Sequence, residues 1–228
     1  MVMKFDGGES GNPLQYVDCG AGLSLDFSGN VTIHVLFWNR SISSSPRYFL
    51  SRTDLTNGFF SNVNRANNTI STFLCNGGIQ TEYPTSNYNL RANMKKWIAY
   101  TFVADVANYS IYVDGALNIS AALIGASLGA PGAVNMYVGA ISGALASSVF
   151  GGNIAAVFIY NKVLTAGQVA YLVAHPQNPL KDKLKLALTQ ESLFAGQWRD
   201  ISGNANHGTV SGCGPIQANN LAGRNVSL

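Results

Sequence analysis

The sequence predicts an all-β protein, a sandwich of two antiparallel sheets with one short helix near residues 165–174. Three observations support this prediction. Residues 31–38 and 97–103 are β-prone and largely apolar on both faces, as expected of strands inside a sandwich. Asp114-Gly115 lies between two β-prone runs, and this dipeptide favours a two-residue hairpin. Short β-prone segments joined by Asn and Gly turns fill residues 48–83, a spacing typical of sandwiches and barrels.

The first half of the chain consists of short predicted strands. In residues 31–38, Ile33, Val35 and Phe37 share one face, while His34 lies on the other. We expect His34 to be a hydrogen-bonded core or half-exposed histidine. The other strands predicted in this half are residues 14–19, 48–51, 58–64, 69–75, 79–83 and 97–103.

The second half contains the hairpin, later strands and the helix. The strands predicted here are residues 109–113, 116–120, 134–140, 152–160 and 184–188. Thr165 is a favourable N-cap, and Gln168 completes a capping box with it. His175-Pro176 ends the helix. The apolar stripe of the helix includes Val169 and Leu172, and it predicts that the helix packs over one edge of the sandwich.

Composition and charge argue against several classes of partner. Charged residues make up 11% of the chain and the net charge is +3, so we expect no nucleic-acid partner. No apolar run approaches the length of a membrane span, so we expect no membrane insertion. The first ten residues contain no signal-peptide core. This predicts a mature fragment, or a protein made in the cytosol and released by lysis or assembly, and an extracellular or virion-surface location.

The central hairpin resembles a known family. Trp97 opens a strand, and Tyr112-Val113-Asp114-Gly115 ends the next one. This arrangement is similar to the signature of laminin-G-like, concanavalin A-type jelly-roll domains. A turn near the C-terminus also resembles a family element, and its signature residues are Asp200, Gly203, Asn204, His207 and Gly208. The resemblance implies a jelly-roll β-sandwich and a structural role for both sets of residues.

The order of these segments differs from the family pattern. A segment similar to residues 186–208 normally comes first and is followed by Phe-Asp-Gly, but here it comes last. Residues 224–228 would then precede residues 4–7, so the chain resembles a circular permutant. We predict a body at 1–178 and a C-terminal segment at 179–228. This segment either completes its own sandwich or exchanges with a neighbouring copy.

Catalytic signatures are missing from the sequence. Glycoside hydrolases on this type of sandwich need paired carboxylates on one sheet. The three glutamates, Glu9, Glu82 and Glu191, lie neither two nor four residues from another carboxylate. We find no serine-hydrolase elbow, zinc-protease helix or phosphate loop. The sequence therefore predicts a protein that is not an enzyme, with a glycoside hydrolase as the minor alternative.

The resemblance implies binding to glycans or to protein surfaces. Loop aromatics are the candidate sugar-stacking residues, namely Tyr83, Tyr88 and Trp198. Family members often hold calcium at a loop rim, so a calcium site is possible here. Its candidate ligands are Asp6, Asp18 and Asp54. We expect no other cofactor.

Two functions from different classes remain open. One is an assembly protein, such as a phage-like virion surface, decoration or fibre subunit with possible glycan recognition. Its partners would be capsid or other virion proteins and further copies of itself, as a homo-oligomer. The alternative is a carbohydrate-binding lectin module of a larger secreted protein.

Overall fold

The computed structural model describes residues 2–6, 15–40, 46–64, 68–85, 88–125, 127–141 and 149–216. In chain order its strands are β1 (Val2–Asp6), β2 (Tyr16–Asp18), β3 (Val31–Asn39), β4 (Arg47–Thr53), β5 (Gly58–Asn64), β6 (Thr69–Asn76), β7 (Ile79–Pro84), β8 (Trp97–Ala104), β9 (Asn108–Val113), β10 (Ala116–Ala122), β11 (Tyr137–Val138), β12 (Gly151–Tyr160), β13 (Leu184–Leu188), β14 (Leu193–Phe194), β15 (Gln197–Trp198), β16 (Gly208–Ser211) and β17 (Gly214–Ile216). The helix α1 spans Ala166–Ala174.

The strands form two antiparallel sheets. Sheet A has eight strands, with the order β10-β9-β8-β3-β12-β1-β17 and with β13 beside β12. Sheet B has nine strands in the order β14-β15-β16-β2-β11-β4-β5-β6-β7. This architecture confirms the predicted antiparallel sandwich with a single helix near residues 165–174.

The two faces of the central strands pack into two different apolar clusters. In β8, Ile98, Tyr100 and Phe102 enter the core between the sheets. Ala99 and Val103 lie on the opposite face, in a second cluster. This is the two-faced pattern that the sequence predicts for residues 97–103. Each large side chain buried in this way contributes about 1.5–3 kcal/mol.

The Asp114-Gly115 hairpin has the predicted turn geometry. The φ angles are 54° at Asp114 and 83° at Gly115, and a type I′ turn requires positive φ at both central positions. The Asp114 carboxylate also accepts a hydrogen bond from the backbone N–H of Ala99, at 2.9 Å. The turn therefore fixes β9 and β10 against β8.

The helix α1 covers a sheet face rather than an edge, which corrects the prediction. Val169 and Leu172 are fully buried in the second apolar cluster, together with Leu36 and Phe158 of sheet A. Thr165 and Gln168 form the predicted capping box. The helix lies over the outer face of sheet A because β3, β8 and β12 are apolar on that side too.

The strand predicted at residues 134–140 is much shorter in the structure. Only Tyr137–Val138 pairs as β11, because Gly139 follows with φ 87°. A Cβ at this position would also collide with the ring of Phe5. Beyond the glycine, the Ser51 hydroxyl donates to the carbonyl of Ala140 at 2.9 Å.

The described part of the C-terminal segment adds strands to both sheets. β13 pairs with β12, β16 with β2, and β17 with β1. The Asp200 carboxylate accepts hydrogen bonds from the backbone N–H of Ala187 and of Asn206, which ties the turn to β13. Whether this segment stays in its own sandwich or exchanges with another copy remains a prediction. The proposed permutation junction at residues 224–228 lies outside the described residues, as does Gly7.

Strand β10 forms an edge of sheet A that carries no charge. Its sequence, ALNISAA, contains neither a charged residue nor proline, and these are the usual protections of an edge strand. Leu117 on this edge is 57% exposed.

In the described ranges, no helix is both long and apolar enough to cross a membrane.

Candidate functional site

The candidate site lies on the outer face of sheet B. Outward positions of four adjacent strands, β4 to β7, bring aromatic and polar side chains together there. No helix in the described part of the chain covers this face. We call this group the outer-face cluster, and it consists of Tyr48, Phe60, Asn62, Ser71, Phe73 and Glu82.

Strand register sets the composition of the outer-face cluster. Phe60 pairs directly with Phe73, and Asn62 pairs with Ser71. Their chain neighbours Phe59 and Leu74 point into the core between the sheets. Because side chains alternate along a strand, the members of the cluster point outward.

Three of these side chains form a row of aromatic rings across the strands. Phe60 and Phe73 stack with a centroid separation of 4.4 Å. Tyr48 contacts the other side of Phe60 edge to face, with the centroids 5.6 Å apart. The row is therefore continuous over three strands, and Tyr48 and Phe73 are its half-buried ends.

Polar groups lie beside the aromatic row. The Ser71 hydroxyl donates to Glu82 Oε1 at 2.7 Å. Asn62 is 2% exposed, and its Oδ1 has no hydrogen-bond partner in the structure. A buried polar atom without a partner is costly and uncommon in proteins, and this oxygen has almost no solvent-accessible surface.

The charge of Glu82 acts on the Tyr48 phenol. Burial, and then the negative charge of Glu82, raise the pKa of the Tyr48 phenol. The phenol therefore keeps its proton at neutral pH and can donate a hydrogen bond.

The carboxylates of sheet B do not form the pair that a glycosidase needs. The described strands of this sheet carry two, Asp18 on β2 and Glu82 on β7. The strand order places β11, β4, β5 and β6 between them, which is five steps and a separation of roughly 24 Å at about 4.8 Å per step. Paired glycosidase carboxylates lie within about 10 Å of each other.

Two of the predicted sugar-stacking residues are buried, which corrects the prediction. Trp198 is 1% exposed, and its Nε1 donates to the carbonyl of Thr189 at 2.7 Å. Tyr83 is 3% exposed and contacts Phe102 in the core. Neither ring has a free face for a sugar. Tyr88 is partly buried against the core, and its role stays a prediction.

The three predicted calcium ligands belong to different parts of the fold. Asp6 lies on β1 of sheet A, Asp18 lies on β2 of sheet B, and Asp54 follows β4. Asp54 accepts hydrogen bonds from the backbone N–H groups of Thr56 and Asn57, which is the geometry of a local turn. The described residues contain no cluster of three His, Cys, Asp or Glu side chains suited to a metal.

A cleft lies where the C-terminal turn meets the body. It has a volume of about 390 Å³ and is lined by Asp18, Asn135, His207 and Thr209 among others. His207 Nδ1 accepts a hydrogen bond from the backbone N–H of Asp200. The side chain of Asn204 donates to the carbonyl of Leu184. These contacts within the turn are structural.

The fold and the sequence agree on the class of protein. Two antiparallel sheets with a short helix on one outer face make up a concanavalin A-like sandwich. Residues 11–170 match the family Laminin_G_3, the concanavalin A-like lectin/glucanases superfamily. The chain belongs to this family. No curated protein sequence is detectably similar to it.

Solved structures with the same fold are distant in sequence. A putative carbohydrate binding protein from Bacteroides ovatus ATCC 8483 has a TM-score of 0.66 at 15% identity, over 93% of this chain and 58% of that one. The native heptameric SAP-like pentraxin from Limulus polyphemus has a TM-score of 0.57 at 12% identity, over 75% and 81%. The CBM40 of the Ruminococcus gnavus IT-sialidase, bound to α2,3 sialyllactose, has a TM-score of 0.52 at 16% identity, over 68% and 91%. At these identities the likeness is one of fold.

Sequence reasoning missed the outer-face cluster because it considered aromatic residues in loops. The available signal was the alternation in β5 and β6, which places Phe60 and Phe73 opposite the core positions. In β4 a bulge between Tyr48 and Leu50 interrupts this alternation. The outward position of Tyr48 therefore follows only from the register of the sheet.

Proposed function

We propose that this chain is a non-catalytic, lectin-like module that binds carbohydrate through the outer-face cluster. The observation that supports this most directly is the row of three rings with the exposed Glu82 side chain on the same face. Sugars present apolar C–H surfaces and hydroxyl groups together. Aromatic rings contact the first, and fixed polar atoms bind the second.

The position of the cluster also suits this function. Helix α1 occupies the outer face of sheet A, so an extended ligand would bind on the outer face of sheet B. The wide separation of Asp18 and Glu82 supports binding without hydrolysis. Two of the similar structures are a putative carbohydrate binding protein and a CBM40 bound to α2,3 sialyllactose. This chain spans 58% of the length of the first of them. A carbohydrate-binding role for the whole protein is therefore part of the proposal.

A glycan array tests the proposal. Wild-type protein should bind at least one glycan, and Tyr48→Ala and Phe73→Ala should each weaken that binding about tenfold. Phe194→Ala is the matched control, because Phe194 is a 63% exposed phenylalanine at the opposite edge of sheet B. A blank array, or equal binding by wild type and both cluster variants, would contradict the proposal.

A second candidate function is assembly on a virion surface, as a decoration or fibre subunit. The uncharged edge strand β10, with Leu117 exposed, favours pairing with another protein or another copy. This candidate includes the extracellular or virion-surface location and the capsid and homo-oligomer partners. Light scattering should then show an oligomer that Leu117→Lys dissociates. A monomer that also fails to co-sediment with particles would exclude it.

A further inference from the structure

We infer that the outer-face cluster selects neutral, hydroxyl-rich sugars and excludes sugars that carry a carboxylate or a sulfate. This inference rests on the proposed function and assigns a ligand class to the same site. It follows from which charged side chains of sheet B point outward and which point inward.

The cationic residues of sheet B do not belong to the outer face. On the described strands of this sheet they are Arg47 and Arg52, both on β4. Arg52 pairs with the core residue Phe59, is fully buried, and donates to the carbonyl of Gly132 at 2.9 Å. Arg47 pairs with Val63, another core residue. The side chains of both arginines are therefore on the inner side of the sheet and not on the outer face.

The acceptor that a ligand on this face can reach is the Glu82 carboxylate, because Glu82 is exposed. Asn62 and Ser71 are 2% and 0% exposed, so their polar atoms are closed to a ligand. The Ser71 hydroxyl donates to Glu82 Oε1 and holds the carboxylate beside the aromatic row. A ligand that lies on the row must therefore offer hydrogen-bond donors to this carboxylate.

Sugar hydroxyls meet this requirement because each can donate as well as accept. The carboxylate of a sialic acid or uronate, like a sulfate group, offers only acceptors and a negative charge. Close to Glu82 and away from any arginine or lysine of the described strands, such a group would be repelled and would have no cationic partner there. The Ruminococcus gnavus module is bound to a sialylated sugar, but the fold it shares with this chain does not determine the charge on the face.

The decisive probe is a set of matched glycan pairs on one array, each pair being the same neutral oligosaccharide with and without a terminal sialic acid. Wild type should bind the neutral member of at least one pair at least tenfold more tightly, and lower salt should widen the ratio. Glu82→Gln should reduce the ratio severalfold, and Glu82→Lys should reduce it further or invert it. Glu191→Gln, which changes an exposed glutamate outside the cluster, should leave it unchanged.

The outcomes separate the two proposals. Equal or tighter binding of the sialylated members, with binding still weakened in Phe73→Ala, overturns the selectivity and leaves the glycan-binding function standing. A ratio that Glu82→Lys does not alter also overturns it. A blank array, or binding that neither Tyr48→Ala nor Phe73→Ala weakens, overturns both.

Discussion

His34 is neutral in the folded protein because it is completely buried. Its Nδ1 lies 2.8 Å from the Thr101 hydroxyl, and its ring stacks on Phe158. Nε2 has no partner, so a proton added there would be neither solvated nor paired. Burial lowers the pKa of His34 to about 3. The buried, hydrogen-bonded alternative predicted from the sequence is the one observed.

This histidine should make the protein less stable in mild acid. Below pH 6.5 the unfolded chain binds a proton at His34 that the folded chain does not bind, so the free energy of unfolding falls with pH. The loss should be about 2 kcal/mol between pH 7 and pH 5, measured by urea unfolding. His34→Gln should lack this component, whereas His175→Gln, at an exposed histidine, should retain it. The same pH dependence in wild type and His34→Gln would contradict the assignment.

At the scale of elements, the sequence predicted the parts of the fold that depend on local rules. The Thr165 capping box and the Asp114-Gly115 turn are fixed within a few residues, and both were confirmed. The burial of Trp198 depends on a hydrogen bond to Thr189 and on contacts with distant strands. The outer-face cluster depends on register and on the β4 bulge. Those contacts join segments far apart in the chain, so a pattern within one segment does not reveal them.

Helix α1 should be an integral part of the sandwich because it seals sheet A. Leu172→Ala removes a fully buried side chain and should lower the free energy of unfolding by about 2–4 kcal/mol, through lost burial and the cavity left behind. Ala166→Ser, at an exposed position of the same helix, should cost less than about 1 kcal/mol. Urea unfolding measures both. A loss below about 0.5 kcal/mol for Leu172→Ala would mean that the helix is not packed as described.

At the scale of the whole molecule, the two ends of the described chain are neighbours in sheet A. Val2 pairs with Ile216 in an antiparallel arrangement, so β17 ends where β1 begins. A chain could therefore be joined there and opened elsewhere without altering the strand order. This is the geometry that the proposed permutation requires.

A rearranged chain tests that proposal. Residues 179–228 followed directly by residues 1–178 should fold into the same sandwich, with residues 217–228 serving as the connection. Circular dichroism and thermal unfolding should show the same strand content and one cooperative transition, a few degrees from wild type. A chain opened inside β3, before Val35, is the control and should not fold, because β3 is paired on both sides. Failure of the first rearrangement to fold would argue against the permutation.

Because α1 closes sheet A and leaves sheet B without a described helix, the molecule has a front and a back. If the outer-face cluster binds ligand as proposed, a ligand-coated surface would be approached with α1 pointing away from it. Any cargo fused on the α1 side would then be displayed outward, which makes this small domain suited to directional attachment.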